Sequence, residues 1–365
     1  MKIYLRIIGA YWSTFGVGKE LFSFILIRSP FFLFRSITFF LDNLFFPGYR
    51  RIKIEKPIFI IGHPRSGTTF LHQFLTQNGE FAVFETWQIL LPSLIARKMV
   101  SPLIKLLIRK KKDTIFPITV GHEVTLRSIE EEEYLFLNIF NTQFMTLTTP
   151  LGFSNHEFLD LVYSDYQPPH IRKKTMRFFK QCLQRQIYYS GKKQILTKMN
   201  YSGMRIQSIL ETFPDAKFIY LIRSPLETIP SHLSLDRNAL DHHWGLKNIP
   251  VSRLQRYYKR RYDYDVRFYR YIEEVIDSGT LSPSQFITLS YDLLKNDFGK
   301  AIEAVLTFCG IEVNDELGKS ILEQTRDQKS YRPSHQNLTL EDFGLTKEKV
   351  IEDLSFIFDR YGFKK

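Results

Sequence analysis

Four short runs along this chain are nearly continuously apolar: residues 57–61, 194–197, 218–222 and 286–290. Such runs suit strands covered on both faces, as in a parallel sheet, better than strands with one wet face. The spacers between them follow another period. Ile206, Ile209, Leu210 and Phe213 fall at i, i+3, i+4 and i+7, one helix face, and Pro214-Asp215 then turns the chain into the next run. Phe70, Leu71, Phe74 and Leu75 form a second face, which Asn78-Gly79 is placed to close. This alternation predicts an α/β fold with an open, mostly parallel sheet flanked by helices. Ligands of such sheets bind beyond the carboxyl ends of the strands.

The first 55 residues depart from the scheme and predict a helical appendage, with one domain over 56–365. No repeat, low-complexity tract or Pro/Gly/Ser linker divides the remainder. Residues 21–44 are greasy, but Arg28, Arg35 and Asp42 interrupt them every seventh residue. Seven residues are two helical turns, so these charges form one narrow polar stripe on an otherwise apolar surface. No uncharged apolar stretch of about 18 residues survives, which disfavours a membrane span. Lys2 and Arg6 ahead of residues 7–18 resemble a signal peptide's start, yet no small-x-small cleavage site follows before Lys19. Pro30 bends or starts a helix where it stands. The favoured reading is two short helices in a membrane interface; the competing one is a Phe-rich hairpin on the protein's own core.

Composition sharpens that choice. The chain has 365 residues, 33 Phe, 19 Tyr and a formal net charge of +12; at 44% hydrophobic and 24% charged it is globular, not disordered. Residues 1–60 hold nine basic side chains against three acidic ones, and 11 of the Phe. Arg97, Lys98, Lys105, Arg109, Lys110, Lys111 and Lys112 follow with no acid among them, so the rest of the chain is close to neutral. Basic charge that coincides with aromatics points to an anionic membrane surface and makes nucleic acid the weaker candidate. Cys182 and Cys309 each sit on an apolar helix face, which excludes a disulfide framework and suits a reducing compartment. The expected location is cytoplasmic, peripheral on the inner membrane face.

Chemistry enters after the first run. Residues 57–61 lead into Gly62-His63-Pro64-Arg65-Ser66-Gly67-Thr68-Thr69 and then the helix face beginning at Phe70. Strand, glycine loop and helix is the setting in which backbone N–H groups converge on a phosphate. Gly62-x4-Gly67 has the nucleotide P-loop spacing, but Thr68 replaces the Lys of GxxxxGK[ST] and the cation sits inside the loop at Arg65. Losing that Lys counts against a magnesium-dependent kinase or NTPase. A second candidate, residues 223–231, follows the run 218–222. Ser224 and Glu227 fit a capping box with Pro225 first in the helix, and Pro230 is expected to kink that helix or cut it short. Arg223 and Ser231, two turns apart, can both hydrogen-bond one phosphate.

Residues 62–69 resemble the 5′-phosphosulfate loop of sulfotransferases that use 3′-phosphoadenosine 5′-phosphosulfate (PAPS), especially the bacterial branch with its His-Pro-Arg-Ser-Gly-Thr-Thr. Arg223 followed eight residues later by Ser231 resembles that family's 3′-phosphate site. Leu196-Thr197-Lys198-Met199 before Phe213-Pro214-Asp215-Ala216, then Tyr291-Asp292-Leu293-Leu294 and Leu340-Glu341-Asp342-Phe343-Gly344-Leu345, extend the likeness to the C-terminus. It starts near residue 57 and leaves residues 1–55 outside. The resemblance implies a P-loop-type sheet, PAPS as sulfuryl donor, adenosine 3′,5′-bisphosphate (PAP) as product and no metal. It assigns Arg65, Ser66, Gly67, Thr68, Thr69, Lys198, Arg223 and Ser231 to the donor. Tyr291 receives a structural part, and the 326–332 loop with Lys329 a cover over the 3′-phosphate.

Sulfuryl transfer is an in-line displacement in which Arg65 and the loop N–H groups would stabilise the leaving phosphate. The acceptor hydroxyl needs a base. His122, between the two phosphate motifs, lies where family members carry a catalytic His or Glu, and imidazole titrates near neutrality. Glu123 and Glu130 to Glu133 are the alternatives; Ile129 stands where the bacterial branch has a Pro, and the glutamate run also suits a helix start. Asp241-His242-His243 lacks a third ligand at metal spacing. Aromatic excess favours an apolar acceptor such as a sterol or lipid alcohol, with a carbohydrate or phenol as alternative. The rivals are a magnesium-dependent P-loop kinase or NTPase, and a non-catalytic membrane-binding protein with a degenerate nucleotide site. Intact Arg65, Arg223 and Ser231 weigh against the latter.

Overall fold

A computed structural model describes residues 2–77, 79–121, 123–200, 204–328 and 337–365. It divides into two compact units, residues 1–53, 84–191 and 235–260 in the first and residues 54–83, 192–234 and 261–365 in the second. The described strands are β1 (Ile58–Gly62), β2 (Phe81–Ala82), β3 (Thr114–Phe116), β4 (Val124–Thr125), β5 (Gln194–Lys198), β6 (Lys217–Ile222) and β7 (Phe286–Ser290).

The second unit holds a five-stranded sheet in the order β2-β5-β1-β6-β7, parallel at every pairing. The four apolar runs are β1, β5, β6 and β7. They are apolar because both faces are covered. On one face Ile58, Ile60, Ile219 and Leu221 pack with Leu71 and Phe74 of the Thr68–Thr76 helix and Ile302 and Val305 of the Phe298–Cys309 helix. On the other, the Phe59 ring stacks 5.5 Å from that of Phe218 and lies 6.2 Å from that of Phe213. The Ile206–Thr212 helix sits where its periodicity put it. β2 went unread because two residues carry no period. The helix from Pro225 is not cut short by Pro230 but continues to Trp244. Proline removes one backbone donor, and the buried Ile229 and Leu233 hold the helix on either side of the gap.

In the first unit, Ile7, Ala10 and Tyr11 of the Lys2–Phe15 helix pack with Met145, Leu151 and Leu161. A single helix, Lys19–Phe45, follows in place of two short ones. Pro30 does not break it, because the turn Phe24–Arg28 widens into a π-helix just ahead and makes room for the ring. By length and composition alone this helix is able to cross a membrane, despite its charges.

Two of those three charges face inward, and Arg28 is half-buried. Arg35 and Asp42 are buried, with Asp42 at 0% exposure. Asp42 accepts from Ser93 Oγ at 3.0 Å, from the N–H groups of Leu94 and Ile95 at 3.0 and 2.9 Å, and from Arg185 Nε at 2.7 Å. It thereby caps the Leu94–Arg109 helix and neutralises a buried guanidinium. Arg35 Nη1 donates to Asn138 Oδ1 at 2.9 Å, and burial pulls its pKa down to about 10. Arg97 is likewise no part of a surface run. It is buried, with bonds to Leu91 O at 3.1 Å and to Gln186 Oε1 at 2.7 Å. Cys182 and Cys309 are free and buried, and burial pushes both thiols up to about 12.

Candidate functional site

β1 ends at Gly62, where a side chain has no room: a Cβ there would lie 2.6 Å from Leu221 O and 2.7 Å from Ser66 Oγ. The backbone turns through Arg65 at φ +73° and Gly67 at φ +97° into the Thr68–Thr76 helix. Leu71 N–H is the first to bond back, to Gly67 O at 3.1 Å. The N–H groups of Thr68, Thr69 and Phe70 precede it and have no partner within the helix, which makes an anion-binding end.

Two cations from other strand ends meet this loop, and the loop's own Arg65 makes a third. Lys198, buried at the end of β5, donates from Nζ to Thr69 Oγ1 at 2.8 Å. Arg223, just after β6, donates from Nη1 to the Arg65 carbonyl at 3.0 Å. Arg65 Nε donates to Ser231 Oγ at 3.1 Å, so the loop's own guanidinium reaches the second motif. All the donor residues expected from the resemblance, Arg65 to Thr69 with Lys198, Arg223 and Ser231, thus lie at one end of the parallel sheet. Glu227, in the first turn of the helix that follows, takes Arg223 Nε on its carboxylate at 2.6 Å.

Tyr291 has a larger part than its sequence reading allowed. The Arg223 guanidinium lies 4.0 Å from its ring centre, and its ring edge is 3.0 Å from where a Cβ on Gly67 would stand. The signal was available, because Tyr291 directly follows β7 at the same sheet end.

Beneath the loop lies a buried network that sequence reasoning missed. His63 Nε2 is 3.0 Å from Asp265 Oδ1, and His232 Nδ1 is 3.2 Å from the same oxygen. Burial raises the Asp265 pKa, but the charges and hydrogen bonds of His232 and His63 outweigh it and hold the carboxyl well below the usual range. The His63 ring stacks on Tyr269 with centroids 5.1 Å apart, and the Tyr269 hydroxyl pairs with Thr228 Oγ1 at 2.9 Å. One carboxylate therefore ties the phosphate loop to the helix that carries Ser231. Among the described residues these three are also the His/carboxylate group compact enough to share an ion, with ligand atoms within 4.8 Å of one another. Asp241-His242-His243 is not such a group.

His122 lies outside the described residues, as do Asn78, Lys329 and Arg332. Of the alternative bases, Glu123 is exposed, whereas Glu130 to Glu133 are buried in the first unit, where Glu132 opens a 3-10 helix.

An open parallel sheet with a glycine loop and convergent cations at its carboxyl edge defines a P-loop-like α/β protein built to hold an anionic ligand. The chain belongs to the sulfotransferase family, whose model matches residues 57–315, and is therefore an enzyme that transfers a sulfuryl group. It is similar to the omega-hydroxy-beta-dihydromenaquinone-9 sulfotransferases Stf3 of Mycobacterium bovis and Mycobacterium tuberculosis. Each is 26% identical over 314 residues, 85% of this chain and 76% of the relative. Among solved structures, sulfotransferase STF1 from M. tuberculosis superposes with a TM-score of 0.70 at 18% identity, covering 96% of this chain and 91% of that one. Sulfotransferase STF9 from M. avium gives 0.70 at 17%, covering 91% and 83%. Coverage of 96% carries the likeness in fold into the N-terminal segment, beyond the motifs that begin near residue 57.

Proposed function

We propose that this sulfotransferase moves a sulfuryl group from PAPS to the hydroxyl of an apolar acceptor, a lipid alcohol or sterol. The observation that carries the donor assignment is the convergence of Arg65, Lys198 and Arg223 on one glycine loop. Three cations and a row of open N–H groups suit a nucleotide phosphorylated at two positions. Arg65, Ser66, Gly67, Thr68 and Thr69 hold the 5′-phosphosulfate, with Lys198 at its side, while Arg223 and Ser231 hold the 3′-phosphate. With these charges in place the reading assigns no metal.

In the reaction the acceptor oxygen bonds to sulfur as the bond from sulfur to the 5′-phosphate oxygen breaks. Arg65 and the loop N–H groups stabilise the charge that PAP carries away. His122 takes the acceptor's proton. The relatives named for a hydroxylated menaquinone support a lipid acceptor. An acceptor of that kind resides in a membrane, and in this reading the enzyme meets it as a peripheral protein on the cytoplasmic face.

A thermal shift tests the donor. PAP at about a hundredfold above its Kd adds roughly 2.7 kcal/mol of stability. A shift with ATP and magnesium but none with PAP overturns the assignment in favour of a kinase or NTPase. Labelled PAPS with lipid alcohols, sugars and phenols then separates the acceptor classes.

A further inference from the structure

We propose that the outer face of the Lys19–Phe45 helix, together with the adjoining face of the Leu94–Arg109 helix, is a docking surface for an anionic lipid bilayer. This rests on the peripheral-membrane part of the reading above and uses nothing from the donor site, so the two stand or fall separately.

The first helix is inside out for a protein in water. Its polar residues Arg35, Thr38 and Asp42 follow at i, i+3 and i+7 on the buried side. Leu33, Ile37, Phe40 and Leu44 follow at i, i+4, i+7 and i+11, and each is between 49% and 68% exposed. A contiguous exposed apolar row with a polar rim marks an interaction surface. The Leu94–Arg109 helix packs against it within the same unit and repeats the arrangement. Met99, Leu103 and Leu106 are exposed at i, i+4 and i+7. Lys98, Lys105 and Arg109 stand exposed on the same helix, and Lys110, Lys111 and Lys112 extend that charge past its end. Lys98 Nζ also lies 4.6 Å from the centre of the ring of Phe46, the residue that directly follows the first helix.

Charge selects the occupant. Residues 97–112 contain no acid, so a second copy would set one basic rim against another, whereas anionic headgroups complement it. A spanning helix would have to leave its place. Asp42 holds Arg185 and the start of the Leu94–Arg109 helix, and Arg35 holds Asn138. Crossing the hydrocarbon would break each of these bonds and carry both charges into it. Lying on the surface keeps them, with the apolar row among the acyl chains and the Lys and Arg side chains at headgroup level.

Flotation of the full chain with vesicles tests this, using phosphatidylcholine alone or mixed with phosphatidylglycerol. The expected result is binding to mixed vesicles that weakens with added salt. A Phe40→Asp/Leu44→Asp double variant should lose that binding by about tenfold or more. A Lys105→Glu/Arg109→Glu variant should lose the preference for anionic vesicles. Both variants should keep the wild-type melting temperature and its rise with PAP, which shows that they fold. Absent flotation of the wild type, or undiminished flotation of the Phe40/Leu44 variant, overturns the proposal. So does a dimer that this variant splits while vesicles go unbound, or a chain that resists extraction from membranes by alkaline carbonate. Loss of the PAP response alone would sink the donor assignment and leave the docking surface standing.

Discussion

Arg65 Nε donates to Ser231 Oγ at 3.1 Å although 166 positions separate the two residues. The bond joins the loop after β1 to the helix after β6, and Arg223 adds a second tie through the Arg65 carbonyl at 3.0 Å. The two elements proposed to hold the phosphates are therefore tied directly to each other.

If that cluster holds PAP, its two partners differ in weight. Arg65→Ala removes a charge-assisted hydrogen bond, about 1.5–3 kcal/mol, so PAP affinity should fall by roughly 10- to 100-fold. Ser231→Ala removes a neutral one, about 0.5–1.5 kcal/mol, and should cost about tenfold at most. Isothermal titration with PAP measures both. Equal losses would mean that Ser231 acts chiefly by holding Arg65.

Gly62→Ala should destabilise the second unit even with no ligand present. The new Cβ meets Leu221 O at 2.6 Å, and that neighbour is backbone inside the sheet, so it cannot yield as a flexible side chain would. Overpacking of this kind costs about 1–3 kcal/mol. A melting temperature within error of the wild type would show that the strand ends give way more easily than their packing implies.

Asp265→Asn replaces the charged acceptor that two buried imidazoles share and should cost about 1.5–3 kcal/mol at neutral pH. Because the native Asp265 pKa lies below the unfolded value of about 4, its stabilising contribution is complete above that pH. It fades as pH falls through the native value. Urea midpoints of wild type and variant should therefore differ at neutral pH and converge in acid. A constant gap across that window would show that Asp265 contributes through packing alone.

For the base, His122→Ala should slow transfer by about 100- to 10,000-fold while PAP affinity stays near wild type. A wild-type rate would move the role to a glutamate, with exposed Glu123 tested first.

Much of the second unit was legible from the chain alone. β1, β5, β6 and β7 announce themselves because a strand buried on both faces must be apolar at nearly every position, a local requirement. Gly62 and Gly67 are legible for a related reason: where backbone crowds Cα or φ turns positive, composition has little choice. Arg65, Lys198 and Arg223 could be nominated by their place at or just past strand ends, and Ser231 by its spacing of two helical turns from Arg223. Their meeting could not, since it depends on which strands are neighbours. The His63–Asp265–His232 network was invisible for the same reason, its members lying on three separate segments.

At the N-terminus the sequence by itself determined that apolar and charged residues alternate at helical spacing, and that basic charge collects beside aromatics. Only the tertiary structure decided which side of that helix is inside. Periodicity reports that a helix has two faces and carries no sign, so Arg28, Arg35 and Asp42 read only as one polar stripe. Asp42 instead found Arg185 and the open N–H groups of Leu94 and Ile95, whose combined hydrogen bonds offset the cost of its burial. With the charges satisfied inward, the apolar face was left outward.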